Sequence, residues 1–428
     1  MTRKMKDSGI EWIGEIPEDW EVKRIQWGLT EIIKKNNPIK AEKILSLTKD
    51  KGVIPYEDKG NLGNKSKTNL ADYKLAYRNS IVMNSMNVII GSVGLSDYFG
   101  CVSPVYYVFK AEKDNDIRFF NYIFQMPVFQ SILKKYANGI LEIRLRVSSN
   151  DVLKRNIPFP NYKEQIKISN YLDKKTKQIE DIKNKISKEI ENLENYKKSV
   201  ITEAVTKGLD KNVEMKDSGI EWIGEIPKHW DLIKLKFIAQ SISKGISPHY
   251  VEETLTPVVN QATFSKGFFD SNLKYCSEMP IGEGLLKMND VLLATTGGGV
   301  LGKTFYFEEK GKYLASTDVA YIRNKDKYIS KFIYYILSVN YDLLNGIFAK
   351  GSTNQTHLQM DLLSNMHIPL PNQNELSKII SKLDVVNTNI DDSIAIKQKQ
   401  LETLEEYKKS LIYEYVTGKK EVKDGEES

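Results

Sequence analysis

Two long stretches of the chain repeat apolar residues every seven positions. The first repeat comprises Leu172, Ile179, Ile186, Leu193 and Val200, with Ile182 and Ile190 at the intermediate position. The second comprises Leu383, Ile390, Leu404 and Leu411, with Ile394 and Leu401 between them. Such spacing, flanked by Lys and Glu, predicts two long helices that pack against each other along an apolar stripe. Lys397 interrupts the second stripe and predicts looser packing there.

Proline and glycine mark the ends of these helices. "PFP" and "PLP" precede the two stretches, and Gly208 and Gly418 follow them. A helix from about Glu164 to Thr206 would be ~64 Å long at ~1.5 Å per residue. An isolated heptad segment of this kind is also typical of a dimerisation hairpin.

The segments upstream of each helix have a different pattern. β-rich runs at Ser80–Gly94, Ser103–Lys110 and Asp290–Gly299 predict strands. Amphipathic stretches near Ile117–Tyr136 and Tyr328–Phe348 predict a helix or two in each segment. Two mixed α/β domains are therefore expected.

The whole pattern occurs twice. "MKDSGIEWIGEIP" appears as Met5–Pro17 and again, letter for letter, as Met215–Pro227. Similarity then fades and returns when "NIPFPNYKEQ" (Asn156–Gln165) aligns with "HIPLPNQNEL" (His367–Leu376), at an offset of 211. The duplication favours an intramolecular antiparallel helix pair over a dimerisation hairpin. A partner that meets both copies, or recombination between the halves, would account for the literal identity.

The expected fold is α+β: two α/β domains joined by two long antiparallel coiled-coil helices, with a pseudo-two-fold internal duplication. The predicted order is an N-terminal segment (1–17), a first variable domain (18–156), a first helical spacer (157–208), a linker with the repeated segment (209–227), a second variable domain (228–367), a second helical spacer (368–419) and a polar tail (420–428).

Composition narrows the class of protein. Of 428 residues, 41% are hydrophobic and 28% charged, which is typical of a globular chain. A net charge of +6 permits nucleic-acid binding without establishing it. The two cysteines, Cys101 and Cys276, have no metal-ligand spacing, and no apolar run is long enough to cross a membrane. We therefore expect a cytoplasmic protein without a metal site.

"GGGVLGKT" (Gly297–Thr304) satisfies the pattern of a nucleotide-binding phosphate loop. In that reading Lys303 would reach the terminal phosphates and Thr304 would bind magnesium, and a helix would begin at the GKT. The aromatic run "FYFEEKGKY" that follows is β-like, so a helix is not expected to begin there. A glycine-rich loop whose Lys303 contacts a DNA phosphate is the preferred interpretation.

Other polar loops are candidate DNA contacts, with an ordinary surface loop as the alternative for each. They are Asn61–Asn69, Glu142–Val147 ("EIRLRV"), Ser241–Tyr250 and Lys350–His357 ("KGSTNQTH"), and the second of these is expected at the place in the first half that matches the fourth. With the glycine-rich loop they contribute the candidate DNA-binding residues Lys65, Lys67, Arg144, Arg146, Lys244, Lys303, Asn354, Gln355 and His357. The sequence has no convergent Ser/His/Asp set and no metal-ligand cluster, so no catalytic residue is predicted.

The chain resembles the specificity subunits of type I restriction–modification systems. The resemblance is carried by "DSGIEWIGEIPEDW" before a variable domain, "IPFP" and "EQ" before a long helix, and "EAVTKGLDKNVEMKDSGIEWIGEIPKHW" between the halves. It implies that each variable domain is a target recognition domain for one half of a split DNA site. It also implies that the paired helices set the spacing and dock two modification (methyltransferase) subunits, to which restriction subunits are added.

The resemblance further implies a non-catalytic chain that binds double-stranded DNA, with S-adenosylmethionine and ATP bound by partner subunits. Two alternatives remain at this point. A phosphate-loop ATPase with coiled-coil arms would bind ATP through Lys303. A structural coiled-coil adaptor would have no use for two variable domains.

Overall fold

The computed structural model describes residues 3–48, 52–60, 69–87, 91–137, 145–252, 256–297, 299–351, 356–423 and 425. No helix within these ranges is both long and apolar enough to span a membrane. The predicted residues Lys65, Lys67, Arg144, Asn354 and Gln355 lie outside the described residues.

The first half of the chain alternates short strands with helices and ends in one very long helix. The strands are β1 (Met5–Asp7), β2 (Glu15–Pro17), β3 (Glu21–Arg24), β4 (Leu29–Glu31), β5 (Leu45–Thr48), β6 (Gly52–Pro55), β7 (Lys74–Ala76), β8 (Ser80–Asn84), β9 (Val93–Ser96), β10 (Gly100–Val102), β11 (Tyr106–Ala111) and β12 (Asn156–Phe159). The helices are α1 (Ile117–Gln125), α2 (Pro127–Lys134), α3 (Ser149–Leu153) and α4 (Tyr162–Lys207), with 3-10 turns at Ile25–Trp27, Tyr56–Lys59 and Leu70–Asp72.

The second half also alternates short strands with helices and ends in one very long helix. Its strands are β13 (Met215–Asp217), β14 (Glu225–Pro227), β15 (Asp231–Lys234), β16 (Ser241–Lys244), β17 (Tyr250–Val251), β18 (Pro257–Val259), β19 (Lys274–Cys276), β20 (Val291–Ala294), β21 (Thr304–Tyr306), β22 (Leu314–Ala315), β23 (Val319–Arg323), β24 (Ala349–Lys350), β25 (His357–Leu358) and β26 (His367–Leu370). Its helices are α5 (Leu235–Ile238), α6 (Gln261–Phe264), α7 (Lys327–Val339), α8 (Tyr341–Asn345), α9 (Met360–Ser364) and α10 (Gln373–Val416).

Two compact units divide the chain, and both long helices contribute to each unit. Unit 1 contains residues Met1–Ile186 and Gln398–Ser428, and unit 2 contains Ser187–Lys397. Each unit therefore has one α/β domain, one half of α4 and one half of α10. The predicted fold of two α/β domains on two long helices is confirmed.

Each unit is built on an antiparallel four-stranded sheet. The strand order is β4-β11-β8-β9 in unit 1 and β16-β23-β20-β21 in unit 2. Amphipathic helices cover one face of each sheet: Phe120 and Phe124 of α1 join the core of unit 1, and Phe332 and Ile336 of α7 that of unit 2. Burial of these side chains is the main stabilising contribution to each domain.

A β-hairpin formed by the identical sequence anchors each unit to the end of a long helix. In unit 2, Trp230 and Ile226 pack against Val205 near the end of α4. In unit 1, Trp20 and Ile16 belong to the same core as Tyr415 and Val416 at the end of α10. The identity at these apolar positions is explained by equivalent packing.

Glycine ends both helices, as the sequence predicts. Gly208 and Gly418 have φ of +76° and +72°, which a side chain would strain. A Cβ at Gly208 would lie 3.2 Å from the Trp230 ring, and one at Gly418 would lie 2.4 Å from the Pro17 ring. Each glycine therefore ends the helix and lets it approach the hairpin closely.

Within each unit the two helix halves run antiparallel. In unit 1, Lys408 Nζ lies 2.8 Å from Glu180 and Lys183 Nζ lies 2.7 Å from Glu405. From the first of these pairs to the second, the residue number rises on α4 and falls on α10, so the two helices are antiparallel. The hydrogen bond from Lys183 lowers the pKa of the Glu405 carboxyl although burial opposes the shift.

In unit 2 the same arrangement includes the residue that interrupts the apolar stripe. Lys197 Nζ lies 2.7 Å from Asp391, and Lys397 pairs with Glu189. The predicted stripe is buried at Leu172, Ile179, Leu383, Ile390 and Leu411 and half-buried elsewhere, apart from one position. The prediction was wrong for Ile182, which is 45% exposed, because two helices bury only a narrow stripe of each other.

Candidate nucleic-acid interface

Three predicted residues of unit 2 meet at one end of its sheet. Strands β16 and β20 end there, and β21 and β23 begin there, because Lys244 pairs with Ala320 and Leu293 pairs with Thr304. Lys303 directly precedes β21, and the Ala294 amide donates to its carbonyl over 2.9 Å. The exposed side chains of Lys244 and Lys303 therefore lie at the same edge.

His357 joins this edge through strand β25. It forms an isolated antiparallel bridge with Thr296, two residues beyond β20, and the Leu358 amide donates to the Thr295 carbonyl over 2.9 Å. Lys350 pairs with His357 in the hairpin of β24 and β25 and is exposed. A group of polar and cationic side chains thus surrounds the start of the glycine-rich loop.

The glycine-rich loop does not have the geometry of a phosphate loop. A strand, β21, begins at Thr304 where that motif requires a helix. Tyr341 donates its hydroxyl to the Gly299 carbonyl over 3.3 Å, and Lys303 Nζ lies 5.0 Å from the centre of the Tyr341 ring. The loop therefore presents Lys303 on an aromatic support and provides no helix N-terminus for a nucleotide.

Unit 1 has an equivalent edge, at which Arg146 occupies the place of His357. The Val147 amide donates to the Ser85 carbonyl over 3.1 Å, just beyond the end of β8. The corresponding bond in unit 2 is the one between Leu358 and Thr295. The predicted correspondence between the "EIRLRV" and "KGSTNQTH" loops is confirmed at this hydrogen bond.

Arg146 is exposed and close to the first residues of β11. Burial raises the pKa of the Tyr107 hydroxyl, and the positive charge of Arg146 acts against that shift. Arg146 is therefore exposed at the surface, close enough to Tyr107 for its charge to act on the hydroxyl.

Two further cations at these edges were not predicted as site residues. Lys34 follows β4 in unit 1 and stands 210 positions before Lys244, and both side chains are exposed. Lys350 belongs to the predicted loop of unit 2 but was not singled out. An offset of 210 in the sequence would have pointed to Lys34, but the strand register aligns Lys244 with Ile33, because Glu31 pairs with Phe109 as Ile242 pairs with Ile322.

A polar clamp, which the sequence did not indicate, fixes the domain of unit 1 to its long helix. Tyr122 of α1 donates its hydroxyl to Asp173 of α4 over 2.6 Å, and Arg118 donates to the same carboxylate over 2.8 Å. Tyr122 is 6% exposed, and burial, followed by the bond to Asp173, raises its pKa. The hydroxyl stays protonated and acts as a donor.

Unit 2 contains the same clamp with a different cation. Tyr335 of α7 donates to Asp384 of α10 over 2.6 Å, and Lys331 donates to the same carboxylate over 2.6 Å. In both clamps the cation stands four residues before the tyrosine, so that one helix face presents both. In each unit the domain is therefore attached to its long helix by the same pair of interactions.

Similarity to known proteins agrees with this arrangement. The family described as type I restriction modification DNA specificity domain matches residues 17–192 and again residues 227–406. The chain belongs to this family. As a DNA specificity subunit it has a recognition domain in each unit, and the phosphate-loop ATPase hypothesis has no support.

A curated relative extends over nearly the whole specificity subunit. It is the type I restriction enzyme MjaVIII specificity subunit of Methanocaldococcus jannaschii, 26% identical over 432 residues, with 96% of this chain and 95% of the relative covered. A solved chain from work on complex assembly and conformational transition of the type I R-M system has the same fold, with a TM-score of 0.70. The sequence identity is 15%, and the match covers 94% of this chain and 98% of that one.

Proposed function

We propose that each α/β domain reads one half of a bipartite, asymmetric site in double-stranded DNA. The observation that supports this proposal is the equivalent end of the sheet in the two units, at which Lys244, Lys303 and His357 lie in unit 2, and Arg146, equivalent to His357, lies in unit 1 with Lys34 just beyond β4. The edges share their backbone and differ in their side chains. Because equivalent backbones bear different side chains, the two domains should recognise two different half-sites.

The side chains at the end of each sheet could make two kinds of DNA contact, one to phosphates and one to bases. Exposed lysines contact phosphates and provide affinity that falls with salt, without sequence preference. Arg146 has the donor geometry to bind guanine O6 and N7 in the major groove. His357, with Asn354 and Gln355 in the same loop, would read a different base. The remaining predicted residues, Lys65, Lys67 and Arg144, stay candidate DNA contacts in this proposal.

The paired helices would act as the spacer between the two readers. The clamps hold each domain on its own helix halves, so a change in helix length or orientation would change the spacing that is accepted. Helix α4 has 46 residues. At ~1.5 Å per residue its length exceeds that of one full DNA turn, about 34–36 Å.

Chemistry would be supplied by partner subunits. In this proposal two modification subunits dock on the chain and bind S-adenosylmethionine, and restriction subunits bind ATP. The specificity subunit would itself be non-catalytic and cytoplasmic. Among the described residues no group of three or more His, Cys, Asp or Glu could hold a metal ion.

The direct test is to map methylated bases in cells that express this chain with its cognate modification subunit. We expect two unlike short elements at a fixed separation. Arg146→Ala should relax the preference in one element and His357→Ala in the other, by about 1–3 kcal/mol at the contacted base. A single continuous element, or relaxation of both elements by one substitution, would contradict the proposal.

A further inference from the structure

An exposed aromatic residue occurs at the same place in each unit. Trp27 is 65% exposed and Phe237 is 73% exposed. They are 210 positions apart, the offset that aligns the two copies of the hairpin. Around them the sequences have diverged, since "QWGLTE" stands against "KFIAQS".

The backbone confirms that the two positions are equivalent. The Ile25 amide donates to the Arg155 carbonyl over 3.0 Å, and the Leu235 amide donates to the Met366 carbonyl over 2.8 Å. Each aromatic residue follows two positions later on a short helical turn. Ile25 and Leu235 are fully buried, so packing in the core explains why these two positions are apolar. The rings of Trp27 and Phe237 are exposed, so core packing does not explain them.

Single exposed apolar residues are common and need no explanation. Here the same exposed character recurs at one position of two diverged domains. The turn in unit 1 also adjoins an open cavity of about 610 Å³, which Trp12, Tyr136 and Arg155 help to line. Trp12 belongs to the hairpin whose sequence is identical in the two units. The turn that bears Trp27 and the identical hairpin therefore both lie near Arg155, which accepts from the Ile25 amide and lines the cavity together with Trp12.

Cationic residues stand close to both rings in the sequence. Arg24 stands three residues before Trp27, and Lys234 stands three residues before Phe237. Lys236 adjoins Phe237 directly, with its Nζ 5.2 Å from the ring centre. A complementary surface would offer an apolar pocket with carboxylates at its rim.

We propose that Trp27 and Phe237 are anchors for two copies of one protein partner, the modification subunit. This inference rests on the proposed function. DNA is a poorer occupant because the two half-sites differ, and the faces of duplex bases are covered by stacking. A partner present in two copies meets equivalent surfaces and accounts for the equivalent residues. Exposed aromatic residues beside arginine are typical energetic centres of protein interfaces.

The test measures assembly of the full chain with its cognate modification subunit by analytical ultracentrifugation and titration calorimetry. We expect two modification subunits on the unchanged chain. Trp27→Ala or Phe237→Ala should weaken one of the two sites by about 10- to 30-fold, and the double variant should weaken both. Circular dichroism should show unchanged folding because both rings are exposed.

Phe268→Ala is the matched control. Phe268 is 55% exposed in unit 2, and its counterparts in the first half, Glu57 or Asp58, are acidic, so its loss should leave assembly unchanged. Wild-type affinity of the double variant for both copies would overturn the inference alone. Loss of DNA affinity with normal assembly would overturn it too. If the unchanged chain bound no modification subunit, the proposed function itself would fail.

Discussion

At the scale of single residues, the end of the sheet at which a side chain lies determines whether it can contact DNA in the proposed arrangement. Lys303 precedes β21 and lies over Tyr341, whereas Lys287 precedes β20 at the opposite end of the same sheet. Both lysines are exposed. Only the first is among the polar residues that surround His357.

Lys303→Ala is expected to weaken binding to all DNA sequences alike. Loss of one phosphate contact should reduce the slope of log affinity against log salt by about 1. Fluorescence anisotropy over a salt series would measure this slope, with Lys287→Ala as the control that leaves it unchanged. ATP turnover by the assembled complex at saturating DNA should stay intact, and its loss would revive the nucleotide-binding interpretation.

Sequence reasoning located the loop residues better than the clamps. Arg146 and His357 were placed at matching positions because both precede a recognisable repeated segment. Tyr122 and Asp173 were missed because they are 51 positions apart, and neither stands in a periodic pattern. Contacts between a domain and a distant helix depend on tertiary packing, which no local pattern reports.

At the scale of elements, the long helices combine a narrow apolar stripe with polar attachments. The heptads predicted two long helices. The anticipated bounds of α4, Glu164 and Thr206, lie two residues from its observed start and one residue from its observed end. They could not tell that Ile182 faces solvent, because a heptad does not specify how many helices share the stripe.

Asp173→Ala is expected to loosen the domain of unit 1 on α4. The Tyr122 hydroxyl would lose its carboxylate acceptor and keep only the longer contact of 3.3 Å to Thr176 Oγ1, at a cost of about 1–3 kcal/mol. The wild type should reject a DNA site whose spacer is changed by one base pair more strongly than the variant does. Competition binding with the two sites measures this ratio, and Asp181→Ala, an exposed position on the same helix, is the control. An unchanged ratio would show that the clamp does not orient the domain.

The ion pairs between the helices should make stability depend on acid. Because the pKa of Glu405 is lowered in the folded chain, its contribution is present above its ordinary pKa of about 4.5 and is lost as the pH falls. Glu405→Gln should lower stability at pH 7 by less than about 1 kcal/mol, since the carboxylate is 42% exposed. Thermal unfolding from pH 7 to pH 3 should show the difference disappear in acid. Glu402→Gln, at an exposed position of the same helix, should show no such difference at any pH.

At the scale of the whole molecule, two units with the same kind of sheet have different side chains at the equivalent end of that sheet. Exchange of residues 228–367 for the corresponding domain of another specificity subunit should therefore change one half-site and leave the other intact. Methylation mapping before and after the exchange provides the measurement. A simultaneous change in both half-sites would show that the domains do not read DNA independently.

The composition of unit 1 has a consequence for the order of events during translation. Its core includes Leu411, Ile412, Tyr415 and Val422, which the ribosome adds after all of unit 2. Multidomain chains generally fold their N-terminal part first as they emerge. Here unit 1 cannot complete its core until the end of α10 has been synthesised, and until then α10 does not cover Ile16 and Trp20. Every residue of unit 2 has been synthesised by that time. The unit that is begun first is therefore the one completed last.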